Sequence, residues 1–342
     1  MKYAILLAGL TLFAAPTRAQ DAATATDYLT SINNEFNSLS RDLMSYISAA
    51  NHGKSARKVE KRRNELVLQT QESERAIRRL RPFNGNYQLR DSIARYFQIC
   101  RIVINEDYGK IVNMEEIAEQ SYDDMEAYLL AKEKASEKIG AAYDAADREY
   151  HAFAAANNIR IVEGDSKLGQ RLKEAATVND YHSKIYLLFF KSYKNEAYLL
   201  DAMSKESVGA IEQNRNALKA SATHDQVTLG KILPFKGDGS LKKVTQDILA
   251  FYEAEGGTQT EKIIDFYLAK ENFEKVKKNF EAISPAKRTQ QDIDQYNQAI
   301  NDYNKKVAES NRVHEELNKK RSALLKNWNT ASQNFLDKYT PR

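Results

Sequence analysis

Apolar side chains recur every three or four residues along most of this chain, the spacing that gathers them on one face of an α-helix. In the first long segment Tyr28, Ile32, Phe36, Leu39, Leu43 and Ile47 form one such stripe. A longer stripe ends the chain, where Ile293, Tyr296, Ile300, Tyr303, Val307, Leu317, Leu324, Trp328 and Phe335 fit a repeat alternating three and four. Ser310, His314 and Arg321 occupy the same register, so the seam weakens midway, with Val313 as another apolar position. Ser284-Pro285 stops the preceding helix, and Thr289 with Asp292 resembles a loose capping box. The pattern predicts a helix over 289–338, roughly 75 Å long at about 1.5 Å per residue, and with it an elongated molecule.

The stripes recur in a second way. Pro82-Phe83-Asn84-Gly85 followed by Leu89 returns as Pro234-Phe235-Lys236-Gly237 followed by Leu241, a separation of 234 − 82 = 152. At that separation Asn64 and Leu66 match Asn216 and Leu218, and Leu80 matches Ile232. One residue off that register, Asp27, Tyr28, Ile32 and Phe36 match Asp180, Tyr181, Ile185 and Phe189. Matches at stripe and turn positions over some sixty residues predict a tandem duplication. Proline cannot continue the helix before the corner, glycine permits a left-handed turn after it, and the phenylalanine between them is expected to plug a bundle end. Residues 157–169, with two glycines and Ile159-Arg160-Ile161-Val162, read as the link between halves, and Gly256-Gly257 as a second break.

Composition supports long helices. Glycine numbers 13 and proline 5, against roughly 24 and 17 at average usage. A charged fraction of 29% and a mean hydropathy of -0.64 would suit a disordered chain, but 42% apolar residues with 19 tyrosines and 13 phenylalanines argue against it. The expected class is all-α: an elongated bundle of long helices in two tandemly duplicated units, over 20–164 and 165–342, the second ending in the long C-terminal helix.

Residues 1–19 read as a secretory signal peptide. Lys2 supplies the positive start, 4–15 the apolar stretch, and Thr17-Arg18-Ala19 a small-residue exit with cleavage before Gln20. About twelve apolar residues are too few to span a bilayer, and no later run exceeds Ile185-Tyr186-Leu187-Leu188-Phe189-Phe190, so no transmembrane segment is expected. Export leaves the periplasm, the outer surface and the extracellular space open as destinations. The mature chain of 342 − 19 = 323 residues loses Lys2 and Arg18, so its formal charge falls from +4 to +2. That balance gives no reason to expect nucleic acid as a partner. Cys100 is the only cysteine, which excludes an internal disulfide and, by its position, a lipid-bearing cysteine at the cleavage point.

Candidate chemistry is sparse. Glu115, Glu119, Asp123 and Glu126, with Glu116 and Asp124 beside them, share one helical face where oxygen ligands for a hard cation could converge. Di-iron bundles require Glu-x-x-His pairs on facing helices, and His52, His151, His182, His224 and His314 supply none. Lys54, Arg57, Lys58, Lys61 and Arg62 make a basic stripe suited to anionic head groups or an acidic partner, or simply to solvent. No Gly-x-Ser-x-Gly elbow, His-Glu-x-x-His helix or Gly-x-x-x-x-Gly-Lys loop occurs, and Cys100 stands in an apolar helical run as a buried thiol. No cofactor and no enzymatic activity are expected.

The segments His52-Gly53-Lys54-Ser55-Ala56-Arg57-Lys58-Val59-Glu60-Lys61-Arg62, Asn105-Glu106-Asp107-Tyr108, Met114-Glu115-Glu116-Ile117-Ala118-Glu119-Gln120-Ser121-Tyr122 and Phe189-Phe190-Lys191-Ser192-Tyr193-Lys194 resemble an uncharacterised family of bacterial cell-surface proteins named after a leptospiral lipoprotein. The resemblance implies export and a helical build, and carries no known activity or site. The chain departs from the lipoprotein pattern in lacking the lipid-attachment cysteine. The expectation is a non-enzymatic envelope protein whose helical surface contacts another macromolecule. The alternative is a small-molecule or cation binder built on a groove between the bundles and the acidic face around Glu119.

Overall fold

The computed structural model describes residues 11–13, 19–107, 122–162 and 166–342. Among them the protein is all-α, with nine α-helices: α1 Ala19–Asn51, α2 Ala56–Arg79, α3 Gln88–Ile102, α4 Tyr122–Ala156, α5 Lys167–Ser204, α6 Val208–Lys231, α7 Ser240–Ala254, α8 Thr260–Ala282 and α9 Gln290–Tyr339. Single π-type turns, Val103–Asp107 and Glu255–Gln259, extend α3 and α7. The one strand pairing described is a three-residue antiparallel match of Thr11–Phe13 with Arg160–Val162. Its first partner lies in the expected leader, so cleavage before Gln20 would leave Arg160–Val162 without that neighbour. No helix among the described residues is long and apolar enough to cross a membrane.

The chain forms two compact units, Met1–His182 with Gln333–Arg342, and Ser183–Ser332. The linking stretch read from the sequence does hold the break between α4 and α5, but α5 runs unbroken from 167 to 204, so the units divide within a helix.

In the first unit Leu29, Ile32, Leu39 and Leu43 of α1 are buried against Leu66 and Ile77 of α2 and Ile93, Tyr96 and Phe97 of α3. Phe36 stacks between Tyr96 and Phe97, with centroids 5.2 Å from each. Helix α2 carries Glu60–Arg63, Arg62–Glu65 and Glu74–Arg78 pairs along its wet side, and Arg78 and Arg79 sit at the negative end of its dipole. The last ten residues join this unit through polar contacts at the end of α1. Asn51 donates to Asn179 Oδ1 (2.7 Å) and Thr340 Oγ1 (3.0 Å), Gln333 donates to the Asn51 carbonyl, and His52 Nδ1 lies 2.8 Å from Asp337.

A segment of 52 residues has the same local build in both units. Helices α2 and α6 are each 24 residues and α3 and α7 each 15, and each shorter helix ends in a five-residue π-type turn. At the corner Asn84 and Lys236 both have φ 48°, and Gly85 and Gly237 have φ 79° and 84°, left-handed values that glycine adopts without a Cβ clash. Phe83 bridges to Asn86 as Phe235 does to Asp238. Asn86 Oδ1 accepts from the Gln88 amide at 2.8 Å, and Asp238 Oδ1 from the Ser240 amide at 2.8 Å. Arg90 reaches the Leu80 carbonyl and Lys242 the Ile232 carbonyl, each satisfying the last turn of the helix before. Arg63 and Arg215, also 152 apart, each donate to a carbonyl of the following π-type turn segment, at Ile104 and Gly257. The one-residue slip between the earlier matches and the corner falls in the connection before α2 and α6, four residues (52–55) in one case and three (205–207) in the other.

The corner phenylalanines differ in cover. Phe235 is buried, whereas Phe83 is half-buried between Tyr28 and Phe153, with centroids 5.7 and 5.1 Å away. Gly256-Gly257, read from the sequence as a break, lies inside the second π-type turn. A Cβ on Gly256 would meet the Arg215 carbonyl at 2.7 Å, so glycine is what lets this turn lie against the α6 backbone.

Candidate functional site

Of the four acidic residues singled out above, Glu115 and Glu119 lie outside the described residues. Asp123 and Glu126 are exposed on the first turns of α4. No three His, Cys, Asp or Glu side chains gather in a metal-holding group among the described residues. In the basic stripe Lys54, Arg57, Lys58 and Lys61 are exposed, while Arg62 pairs with Glu65 at 2.6 Å and Lys61 approaches the same carboxylate at 3.8 Å. Cys100 is buried, and burial pushes its thiol up to about 12, far from a thiolate at neutral pH.

The charge chemistry lies in the second unit. Arg321 of α9 bridges two buried carboxylates, Glu196 of α5 and Glu255 at the start of the π-type turn. Glu196 is 2% exposed and Glu255 0%, and Glu255 Oε2 has no hydrogen-bond partner. One guanidinium faces two carboxylates, and they cannot both stay ionised at ordinary cost in so dry a place. Burial first, and the neighbouring Glu196 charge second, push Glu255 up to about 8 against the opposing pull of Arg321. Near neutral pH the pair therefore retains a proton, and the triad is close to neutral. Tyr252, beside both carboxylates, is raised by burial and by their charge.

Seven residues after Arg321 and on the same helix face, Trp328 Nε1 donates to Thr245 Oγ1 at 3.0 Å while its ring stacks on Phe189 at 3.9 Å. The matched positions of the first unit hold Leu43, Val103 and Ile93 where the second has Glu196, Glu255 and Thr245. At these positions the second unit is polar where it meets Arg321 and Trp328 of α9. A further buried carboxylate, Asp225 on α6, stands where the first unit has Ser73. Burial pushes it up to about 6, against the charges of Lys191 and His224. Arg321 was visible in the sequence as a charge in the apolar register; Glu196, Glu255 and Asp225 gave no such signal.

The other distinctive surface is the antiparallel hairpin of α8 and the first part of α9. Over residues 265–309 Ala299 alone is buried. The two helices meet through a ladder of half-buried rings: Phe266 on Tyr303 (6.2 Å), Phe273 on Tyr303 (5.0 Å) and Tyr296 (6.2 Å), and Phe280 on Tyr296 (4.4 Å). Arg288 caps the ladder, its guanidinium 4.2 Å from the Phe280 centroid. Leu268 and Ile293 stand out from it, 49% and 37% exposed. At the base Tyr267 donates to the Met203 carbonyl (2.9 Å), and Lys270–Glu206 and Lys306–Asp265 pairs close at 2.7 and 2.8 Å. The capping box opens α9 as the sequence suggested: the Thr289 amide and hydroxyl both donate to Asp292 Oδ2, and the Asp292 amide donates back to Thr289 Oγ1.

Comparison with protein-family models, with curated proteins and with solved structures returned no match.

Proposed function

We infer that the protein is an exported, non-enzymatic helical scaffold of the cell envelope, at the periplasmic or outer face, that engages another macromolecule through the α8–α9 hairpin. The observation that carries this reading is the contrast within the second unit. Its body is held by two buried carboxylates on the largely covered Arg321 and by a stacked tryptophan, whereas residues 265–309 bury Ala299 alone and leave an aromatic ladder half covered. A half-covered apolar ladder on ordered helices is a surface suited to association. We also infer that the two units descend from one duplicated module. The matched corner, caps and arginine contacts support that reading, and the apolar-to-charged replacements at 43/196 and 103/255 are what divergence of one copy would produce.

The reading is tested by placing a photo-crosslinking amino acid at Leu268 and at Ile293 in the full chain expressed in its own cells. Controls go at Leu68 on α2 and Val227 on α6, which are exposed at 58% and 59%. Adducts from the hairpin positions and none from the controls are expected. Equal yields from all four, or none from the hairpin, would remove the hairpin as the functional surface.

A further inference from the structure

We propose that the α8–α9 hairpin pairs with the same hairpin of a second copy of this chain, forming a four-helix bundle about a two-fold axis. The inference rests on the hairpin being the association surface and names its occupant. Charge selects that occupant. Residues 273–288, the distal end of α8 and the turn, carry Lys275, Lys277, Lys278, Lys287 and Arg288 against Glu274 and Glu281, so 5 − 2 = +3. Residues 289–304, the start of α9, carry Asp292, Asp294 and Asp302 with no lysine or arginine, so −3. A two-fold axis parallel to the helices sets α8 of one copy across from the start of α9 of the other, and only that axis puts unlike patches together. A second hairpin therefore places +3 across from −3 at both helices, whereas an acidic or basic partner, or an anionic membrane, is repelled by one of the two.

Size and shape agree. Residues 265–283 run about 28 Å along the axis and two helices are about 20 Å wide, a face of the order of 560 Å² before side-chain relief, about 70% of the roughly 800 Å² per partner of standard interfaces and above the size of most crystal-packing contacts. The half-buried rings of the ladder supply its apolar centre. Two hairpins meeting this way give the antiparallel arrangement of four-helix bundles.

Sedimentation equilibrium of the full chain tests the proposal through a charge swap. Asp294→Lys with Asp302→Lys turns the α9 patch from −3 to +1, and Lys277→Glu with Lys278→Glu turns the α8 patch from +3 to −1. These sites leave the Thr289–Asp292 cap intact, and circular dichroism confirms that each variant folds. Wild type should dimerise. Each double variant alone should associate more weakly by at least roughly tenfold, and an equimolar mixture of the two should restore a 1:1 heterodimer. A wild type that stays monomeric, or double variants that dimerise as it does, overturns the proposal. If a monomeric wild type still gives adducts from Leu268 and Ile293 to another macromolecule, the second copy is excluded and the hairpin surface stands. If it gives none, both fall.

Discussion

Replacing Arg321 with methionine keeps most of the side chain's length and removes the charge that Glu196 and Glu255 share. Both carboxyls stay where they are, at 2% and 0% exposure, and Glu255 Oε2 is already without a partner. Removing one member of a buried ion pair costs about 3–5 kcal/mol because a buried charge is left uncompensated. Because the pair retains one proton near neutral pH, the variant leaves one uncompensated buried carboxylate, which places this case within that range. The cost should shrink in acid: the variant's second carboxyl takes up the proton that relieves it, at a price that falls about 1.4 kcal/mol for each pH unit. The chain has a single tryptophan, Trp328, stacked on Phe189 inside the second unit, so its fluorescence during urea unfolding reports that unit alone. The triple variant Glu196→Leu, Glu255→Val, Arg321→Met installs two residues that the first unit uses at its matched positions. It should be as stable as wild type or more so by about 1–4 kcal/mol. A loss under about 1 kcal/mol for Arg321→Met near neutral pH, or a loss that does not diminish in acid, would refute the buried-triad argument.

Glu255, raised from its ordinary 4.5 to about 8, holds a proton in the folded state that the unfolded chain releases. Its stabilising contribution is therefore complete below about pH 4.5 and is lost as pH rises to about 8, with Asp225 adding the same sign up to about 6. Unfolding followed by Trp328 should show second-unit stability falling across that window and Glu255→Gln flattening its upper part; a rise with pH would contradict the sign. At the corners, Phe235→Ala should cost about 3–5 kcal/mol and Phe83→Ala about 1–3, because Phe83 is only half-buried; equal losses would mean that exposure does not govern the corner.

The helices were legible because their stripes are local: Ile32, Leu39 and Leu43 are buried as the three-to-four spacing required, and the capping box at Thr289 opens α9 where it was read. The corner was legible for the same reason, since proline and glycine dictate backbone geometry within a few residues. Cover was harder to read. Ile293, Tyr296, Ile300, Tyr303 and Val307 belong to one stripe with Leu317 and Trp328, yet its buried members are Ser310, Leu317, Trp328 and Phe335, all in the later part. Periodicity tells which face is apolar and is silent on what lies against it. The buried triad was hidden for a related reason: a glutamate on a helix reads as solvent-facing, and its partner Arg321 lies 125 residues from Glu196 and 66 from Glu255. Only the arginine's place in an apolar register gave a hint. The acidic face was read from spacing alone, and two of its four members fall outside the described residues.

Hydrogen exchange of the full chain, measured at the lowest and the highest accessible protein concentration, bears most directly on the proposal that this protein assembles through the hairpin. Amides within 265–309 should exchange more slowly in the associated state while those of α2, α3, α6 and α7 keep their rates. Protection gained elsewhere, with 265–309 unchanged, would contradict the account.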